Sequence, residues 1–476
     1  MRTTAKVAVT VVTVAALGTG GTLVMLRSSD SSNGAAPTPG ATSSPSASAS
    51  PSTAPTATPF PLGSPASGGG TVGAAAVARV LDGALRAPAL GARVNAVVVD
   101  AVSGAELYSH GAEVSVVPAS TTKIATGLAA LAALGPQATF RTTVVPRGTV
   151  TGGVLTGDLV LVGGGDPTLA SPGARVGYPP PARVDSLAAG VRARGITRVT
   201  GGIVVDTTLF TGSGLGPGWK PTYVTEGSVA PISALMVDGG RVRPDGDDRV
   251  REPDLVAGRL LRDLLRRRGV AIGTAVARGT APAGSLPLTA VSSPPVGALV
   301  ERMLLRSDNE LAESLGRHIA RKAGLPADFA GAAAGIAAAL ARFGAQDEVR
   351  GLRDASGLSR LDRLTVGGLV RLVALAVDER YPGLRRLLSG LPTAAFDGTL
   401  GGRFAVPAAR AGRGRVRAKT GSLDNVSTLA GTIHTADGRL LVFAFSADRL
   451  PTRSTSNAAK ALDAAAAALA RCGCPA

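Results

Sequence analysis

From Ser28 to about Gly70 the chain is written in Ser, Pro, Ala, Thr and Gly with almost no large apolar side chain, as in ATSSPSASASPSTAPTATPFP. Such a segment cannot bury enough apolar surface to offset the entropy lost on ordering, which predicts a disordered tether over residues 28–72. Its length gives a mean reach of roughly 35 Å. Any folded body therefore begins near residue 73. Upstream, residues 7–26 form an uncharged run preceded by Arg2 and Lys6 and followed by Arg27. Twenty residues in helix span about 30 Å, enough to cross a bilayer, and the leading positive charges set the amino terminus in the cytoplasm. No small-x-small cleavage site follows a shorter apolar core, so residues 1–27 are read as a cytoplasmic tip and single-helix membrane anchor in preference to a cleaved signal. The body is then extracytoplasmic, anchored by that helix, or secreted if the segment is cleaved.

Past the tether, RVNAVVVDAVSGAELYSHGA has a buried-strand run, a Ser-Gly turn and a second alternating run, which predicts a hairpin. An apolar run at helical spacing follows through Leu134. From about Phe140 to Ser285 the pattern is mixed, with strand-like runs (GDLVLVGGGDP, RVTGGIVVDTTLF) and an amphipathic DLVAGRLLRDLLRRRG. Helical spacing returns from about Val291. RVRAKTGSL, STLAGTIHTADG and RLLVFAFSAD then predict an antiparallel meander, closed by an alanine-rich helix over 455–470.

The formal charge of +17 raises nucleic acid as a partner. Aromatics are only 3%, and the arginines are scattered with no stacking platform or recognition helix, so no nucleic acid is expected. Two cysteines in the terminal RCGCPA and His110, His318 and His434 at unrelated positions make no metal-ligand spacing, so neither metal nor cofactor is expected. Outside the cytoplasm Cys472 and Cys474 could be oxidised or bonded to another molecule, but they read first as a frayed, functionless end.

Only six of the fifty basic residues are lysine: 6, 123, 220, 322, 419 and 460. Arginine stays charged at any working pH, whereas a desolvated lysine can give up its proton and act as a base. Lys123 stands three residues after Ser120 in VVPASTTKIATGLAAL, a spacing that on a helix lets the amine reach the hydroxyl. Each motif alone is weak: Ser120 could be a helix cap, Ser307-Asp308 could cap the helix beginning near Asn309, and Lys419-Thr420-Gly421 could be a strand entering a turn. S-x-x-K, S-D-N and K-T-G together, in this order, are the mark of penicillin-binding proteins and related β-lactamases.

With GGGDPTL (163–169), APISAL (230–235), SDNELAESL (307–315), DASGLSR (354–360) and FDGTLGGRF (396–404), the chain resembles the D-alanyl-D-alanine carboxypeptidase/endopeptidase group of low-molecular-mass class C penicillin-binding proteins. The resemblance runs from about residue 75 to the end. The 187 positions between Ser120 and Ser307 also fit this group, since β-lactamases set the two motifs much closer. It implies an α+β fold: a β-lactamase/transpeptidase-like domain, an antiparallel sheet flanked by helices, formed by 73–139 and 286–476 and interrupted by an inserted mixed α/β domain over 140–285. It also implies a smaller second insert that is reduced or missing here. The implied activity is serine D,D-carboxypeptidase or endopeptidase action on peptidoglycan stem peptides through an acyl-enzyme, with β-lactam antibiotics as covalent inhibitors.

Carried over motif by motif, the resemblance makes Ser120 the nucleophile, Lys123 its base and Ser307 the donor to the leaving amine. Asn309 binds the substrate amide, and Lys419 and Thr420 of the Lys419-Thr420-Gly421 motif hold the terminal carboxylate. The N–H groups of Ser120 and Ser422 stabilise the oxyanion. Repulsion from Lys419 is expected to help keep Lys123 neutral. A β-lactam-acylated sensor, and a β-lactamase or esterase of the same fold, remain open alternatives. Of the other polar residues, Gly165-Asp166-Pro167 reads as a tight turn, and Asp354 and Asp397 as backbone-orienting groups. Glu313 and His318 read as packing or surface residues; Trp219 and Tyr223 could line a substrate cleft but read first as buried aromatics.

Overall fold

The computed structural model describes residues 73–175, 177–451 and 454–473. The expected anchor and tether, and Cys474, lie outside the described residues. After helix α1 (Ala74–Leu85), strands β1 (Val94–Asp100) and β2 (Glu106–His110) form the expected hairpin, with Val98 opposite Tyr108. Asp100 closes the turn by accepting the N–H groups of Val102 and Ser103 at 3.0 and 2.8 Å. A 3₁₀ turn over Ala119–Thr122 leads into helix α2 (Lys123–Ala133). Ser120 thus sits in a turn before the helix, not on it.

The next segment builds a sheet of its own. Strands β3 (Arg141–Thr151) and β4 (Val154–Val162) pair antiparallel, and Gly148 faces Gly157 across the ladder, where both backbones take positive φ and a Cβ on either would overlap the opposite strand. Helix α3 (Val184–Ala193) crosses from β4 to the parallel strands β5 (Arg198–Val199) and β6 (Ile203–Asp206). Helix α4 (Pro253–Arg267) crosses in turn to β7 (Ala271–Ile272) and β8 (Val276–Arg278), again parallel to their neighbours. Parallel strands need such crossovers, and the two helices lay Leu187, Val191, Leu261 and Leu265 on the sheet. In α4 the buried Ala257, Leu261, Leu264 and Leu265 recur at helical spacing, and arginines take the remaining face. Strand β9 (Thr289–Ser292) pairs with β3, so this sheet runs past the boundary expected at 285.

Helices α5 (Val296–Arg306), α6 (Asn309–Lys322), α7 (Phe329–Ala341), α8 (Val366–Val377) and α9 (Arg386–Gly390) follow. The chain then enters the antiparallel meander β10 (Val416–Leu423), β11 (Val426–His434) and β12 (Leu440–Ala447), and ends in α10 (Thr455–Arg471). Strand β12 pairs with β1, giving a five-stranded sheet ordered β10-β11-β12-β1-β2 from both ends of the chain. Strands β11 and β12 are buried on both faces, whereas the edge strand β2 is largely exposed. In β12, Leu441, Phe443 and Phe445 pack toward α1 and α10, whereas Leu440, Val442 and Ala444 pack toward α2 and α5–α8. That is the two-residue period of a strand sandwiched between helical layers, each large side chain contributing about 1.5–3 kcal/mol by burial. Cys472 corrects the reading of a frayed end: it is 9% exposed, belongs to the α1–α10 core and is disulfide-bonded.

Candidate active site

Three elements converge at one edge of the five-stranded sheet. The turn carrying Ser120 is pinned from two sides: Thr121 and Thr428 hydroxyls donate to the Pro118 carbonyl at 2.6 and 2.9 Å, with Ala119 held at a φ of +49°. Strand β10 runs against this turn. A Cβ at Gly421 would overlap the Thr428 hydroxyl and the Pro118 carbonyl, so only glycine lets β10 come this close to Ser120. Gly357 approaches the Ala119 carbonyl in the same way, with φ at +80°.

Lys123 is completely buried, yet its Nζ has three partners. It donates to Ser120 Oγ at 3.0 Å, Asn309 Oδ1 at 2.7 Å and the Ser356 carbonyl at 2.6 Å. Burial depresses the ammonium pKa to about 8, against the opposing pull of Asp354, Glu313, Asp308 and Glu310. Repulsion from Lys419 was expected to help in this; the lowering cause at Lys123 is desolvation. Repulsion is felt at Lys419, which burial first and Lys123 second push well below the ordinary lysine range.

Ser307 ends α5 in the left-handed region, with φ +56° and ψ +38°. The turn sends Ser307 and Asn309 toward the two lysines and Asp308 away from them. Lys419 Nζ donates to Ser307 Oγ at 2.9 Å and to the Thr420 carbonyl at 2.8 Å, and Asn309 Nδ2 donates to the Ser228 carbonyl at 2.8 Å. Asp308 caps α6 by accepting Leu311 N–H at 3.0 Å. The capping reading and the site reading of this motif therefore hold together, on different side chains. Lys419 is fully buried behind Thr420, whose hydroxyl donates to Thr399 Oγ1 at 2.8 Å; Ser422 is exposed at the mouth. Ser120, Lys123, Ser307, Asn309, Lys419, Thr420, Gly421 and Ser422 are thus brought together from α2 and its preceding turn, the α5–α6 turn and β10.

In the layer beneath, sequence reasoning read Asp354 as a backbone-orienting group but missed the part played by Glu313. Glu313, read as packing or surface, is fully buried on α6, and its Oε1 accepts the N–H groups of Ala355 and Ser356 at 3.1 and 2.9 Å. It therefore anchors the backbone of Ser356, the residue whose carbonyl holds Lys123. Burial, and then the Asp354 charge, raise the Glu313 carboxyl to about 7. Asp354 gathers the same loop, accepting Gly357 N–H at 2.6 Å, Ser359 N–H at 2.7 Å and the Trp219 indole N–H at 2.7 Å. The only sequence signal for Glu313 was its position four residues after Asn309, one helical turn below the site.

The remaining candidates take supporting places. Asp166 Oδ1 accepts the N–H and hydroxyl of Thr168 at 2.8 and 2.6 Å, a local turn, and Asp397 accepts Thr393 N–H at 2.5 Å. His318 lies flat on Phe140 with ring centroids 3.6 Å apart, and burial lowers its pKa to about 4. Trp219 and Tyr223 cluster with Leu423 and Leu358 beside Ser422. Lys220, paired with Asp424 at 3.0 Å, lies over the Tyr223 ring of this cluster. Among the described residues no group of His, Cys, Asp and Glu side chains could hold a metal ion.

Chemically, the site offers a hydroxyl beside a buried amine of depressed pKa, a second lysine–hydroxyl pair, and a glycine-dependent strand edge facing the hydroxyl. Comparison with known proteins agrees. The model of the D-Ala-D-Ala carboxypeptidase 3 (S13) family matches residues 77–248 and 247–469. A carboxypeptidase of Mycobacterium tuberculosis is 38% identical over 382 residues, 79% of this chain and 80% of that protein. Carboxypeptidase DacB of Mycolicibacterium smegmatis is 38% identical over 404 residues, 84% of each chain. The crystal structure of penicillin-binding protein 4 (DacB) from Haemophilus influenzae superposes with a TM-score of 0.68 at 22% identity, covering 82% of this chain and 98% of that one, which establishes a shared fold. With family model, relatives and fold in agreement, the chain belongs to the D-Ala-D-Ala carboxypeptidase 3 (S13) family.

Proposed function

We propose that this protein is a serine D,D-carboxypeptidase that cleaves D-Ala-containing stem peptides of peptidoglycan through an acyl-enzyme, with endopeptidase action on the same bond type, and that penicillins acylate it. The observation that carries the reading is the fully buried Lys123 amine 3.0 Å from Ser120 Oγ. In the proposed reaction Lys123 takes the Ser120 proton as Oγ bonds to the penultimate D-Ala carbonyl carbon, and the N–H groups of Ser120 and Ser422 receive the oxyanion. Collapse breaks the C–N bond, and the leaving D-Ala amine takes a proton delivered by Ser307. Water, deprotonated in turn, then hydrolyses the ester and restores the Ser120 hydroxyl. Asn309 holds the substrate amide. Thr420 and Ser422 hydroxyls bond the terminal carboxylate, and Lys419 behind them supplies its charge, which an arriving carboxylate restores.

We also propose that the enzyme works outside the membrane, held there by residues 7–26 or released from them. The support is that run's length and flanking charges; among the described residues no helix is long and apolar enough to cross a membrane. The reaction is tested by intact mass after benzylpenicillin. One adduct is expected on the native protein and none on Ser120→Ala. Labelling that survives Ser120→Ala refutes the nucleophile assignment.

A further inference from the structure

Behind the Ser307–Asn309 turn lies a second cavity, of about 490 Å³, lined by Arg241, Arg302, Arg306, Asp308, Thr168 and Tyr178 among others. Its relation to the catalytic cleft follows from the turn itself. Ser307 and Asn309 bond the two catalytic lysines, while the side chain between them, Asp308, forms part of the cavity wall. The two sites are therefore separate, and one residue of backbone joins them.

The cavity's cations are incompletely answered. Arg302 Nε is buried without a hydrogen-bond partner, and its nearest counter-charge, Asp308 Oδ2, stands at 3.6 Å, beyond hydrogen-bonding distance. Asp308 caps α6 with its other oxygen, Oδ1. Arg306 lines the cavity and makes no hydrogen bond or ion pair within the described residues. Asp238 and Asp245 also line the wall, but Asp238 Oδ1 already accepts Ser171 N–H at 3.0 Å. Arg241 keeps its fork beside the cavity by donating to the Asp238 carbonyl at 3.2 Å. An incoming anion would meet the exposed part of the Arg302 side chain, 27% of it, and the exposed Arg306 on the cavity wall. Planar guanidinium forks match carboxylate oxygens best.

We propose that this cavity is an exosite for a carboxylate-bearing peptide segment, held by Arg302 and Arg306. A bare inorganic anion would leave much of the volume empty, and Ala170, Ala174 and Pro181 on the wall suit the aliphatic part of a short peptide. The choice of a peptide as occupant rests on the proposed function; the unanswered arginines do not.

The test is calorimetric titration of the whole protein with the dipeptide L-Ala-D-Glu, and separately with inorganic phosphate, before and after acylation by benzylpenicillin. Dipeptide binding that persists in the acylated protein and weakens tenfold or more in Arg306→Gln supports the exosite. Arg306 is exposed at the end of α5, so this variant is expected to fold, which circular dichroism and thermal melting verify. Affinity unchanged in Arg306→Gln overturns the proposal. So does binding lost on acylation, which places the dipeptide in the catalytic cleft, and so does phosphate binding as tight as the dipeptide, which makes the cavity a general anion site. If benzylpenicillin adds no mass, the proposed function fails separately, and the Arg306→Gln comparison on unmodified protein still decides the exosite.

Discussion

Glu313→Gln separates what this buried carboxylate does by shape from what it does by charge. The amide oxygen of glutamine can still accept the Ala355 and Ser356 N–H groups, at 3.1 and 2.9 Å in the native protein, so the loop holding Lys123 keeps its anchor. The negative charge is lost. Glu313 is one of the groups that hold the Lys123 pKa up against burial, so its removal must lower that pKa further below about 8. A unit charge several ångströms away at an effective dielectric of about 20 acts with about 1–2 kcal/mol, or about 1 pH unit. Because the neutral amine is the base, acylation rises with pH, and the rising limb should move about 1 pH unit lower in Glu313→Gln. Glu313→Ala removes the acceptor as well and leaves the buried Ala355 N–H unsatisfied, at about 1–3 kcal/mol, while Ser356 N–H keeps only Asp354 Oδ1 at 3.2 Å. It should lower thermal stability and slow acylation by about a hundredfold as Lys123 loses its aim. The assay is the second-order rate of benzylpenicillin acylation between pH 5 and 10, with thermal melting alongside. A Glu313→Gln limb unmoved, or moved to higher pH, refutes the coupling.

In the native protein, acylation should rise with an apparent pKa of about 8 and fall about a hundredfold by pH 6, as measured by penicillin trapping. Gly421→Ala should slow acylation about a hundredfold while circular dichroism stays native, because the added methyl pushes β10 off the Ser120 turn; an unchanged rate refutes the close-approach argument. Lys419→Ala should lower turnover of peptides with a free terminal carboxylate about ten- to hundredfold more than turnover of an ester lacking it. Equal losses would assign Lys419 to proton delivery through Ser307 alone.

What the sequence disclosed is what short spacing encodes. Ser120 and Lys123 are three residues apart, and Ser307 to Asn309 and Lys419 to Ser422 are contiguous, so their chemistry reads directly from the letters. The meander β10–β12 was legible because short apolar runs separated by turn residues are local as well. Glu313 was not legible, since its partners Ala355 and Ser356 belong to a loop more than forty residues on and only the packing of α6 brings them together. The backbone-orienting role of Asp354 was legible from its Gly-containing loop, but its bond to Trp219, which joins segments 135 residues apart, was not. The pairing of β9 with β3 hid for this reason too: four residues of strand carry little pattern until a partner defines them. Ser120's 3₁₀ turn differs from a helix start only in hydrogen-bond register, which residue types do not distinguish.

The central claim is that a buried, deprotonated Lys123 activates Ser120. Because Lys123 has no exposed surface, arginine's wider fork does not fit its place, and methionine is the better probe: similar in length, unable to take a proton. The measurement is the rate of single-adduct formation with benzylpenicillin, followed by intact mass, in Lys123→Met against the native protein at pH 8.5, with folding verified by circular dichroism. The account predicts a fall of about 10²–10⁴-fold, the loss typical of a general base. A folded Lys123→Met protein that acylates at near the native rate contradicts it.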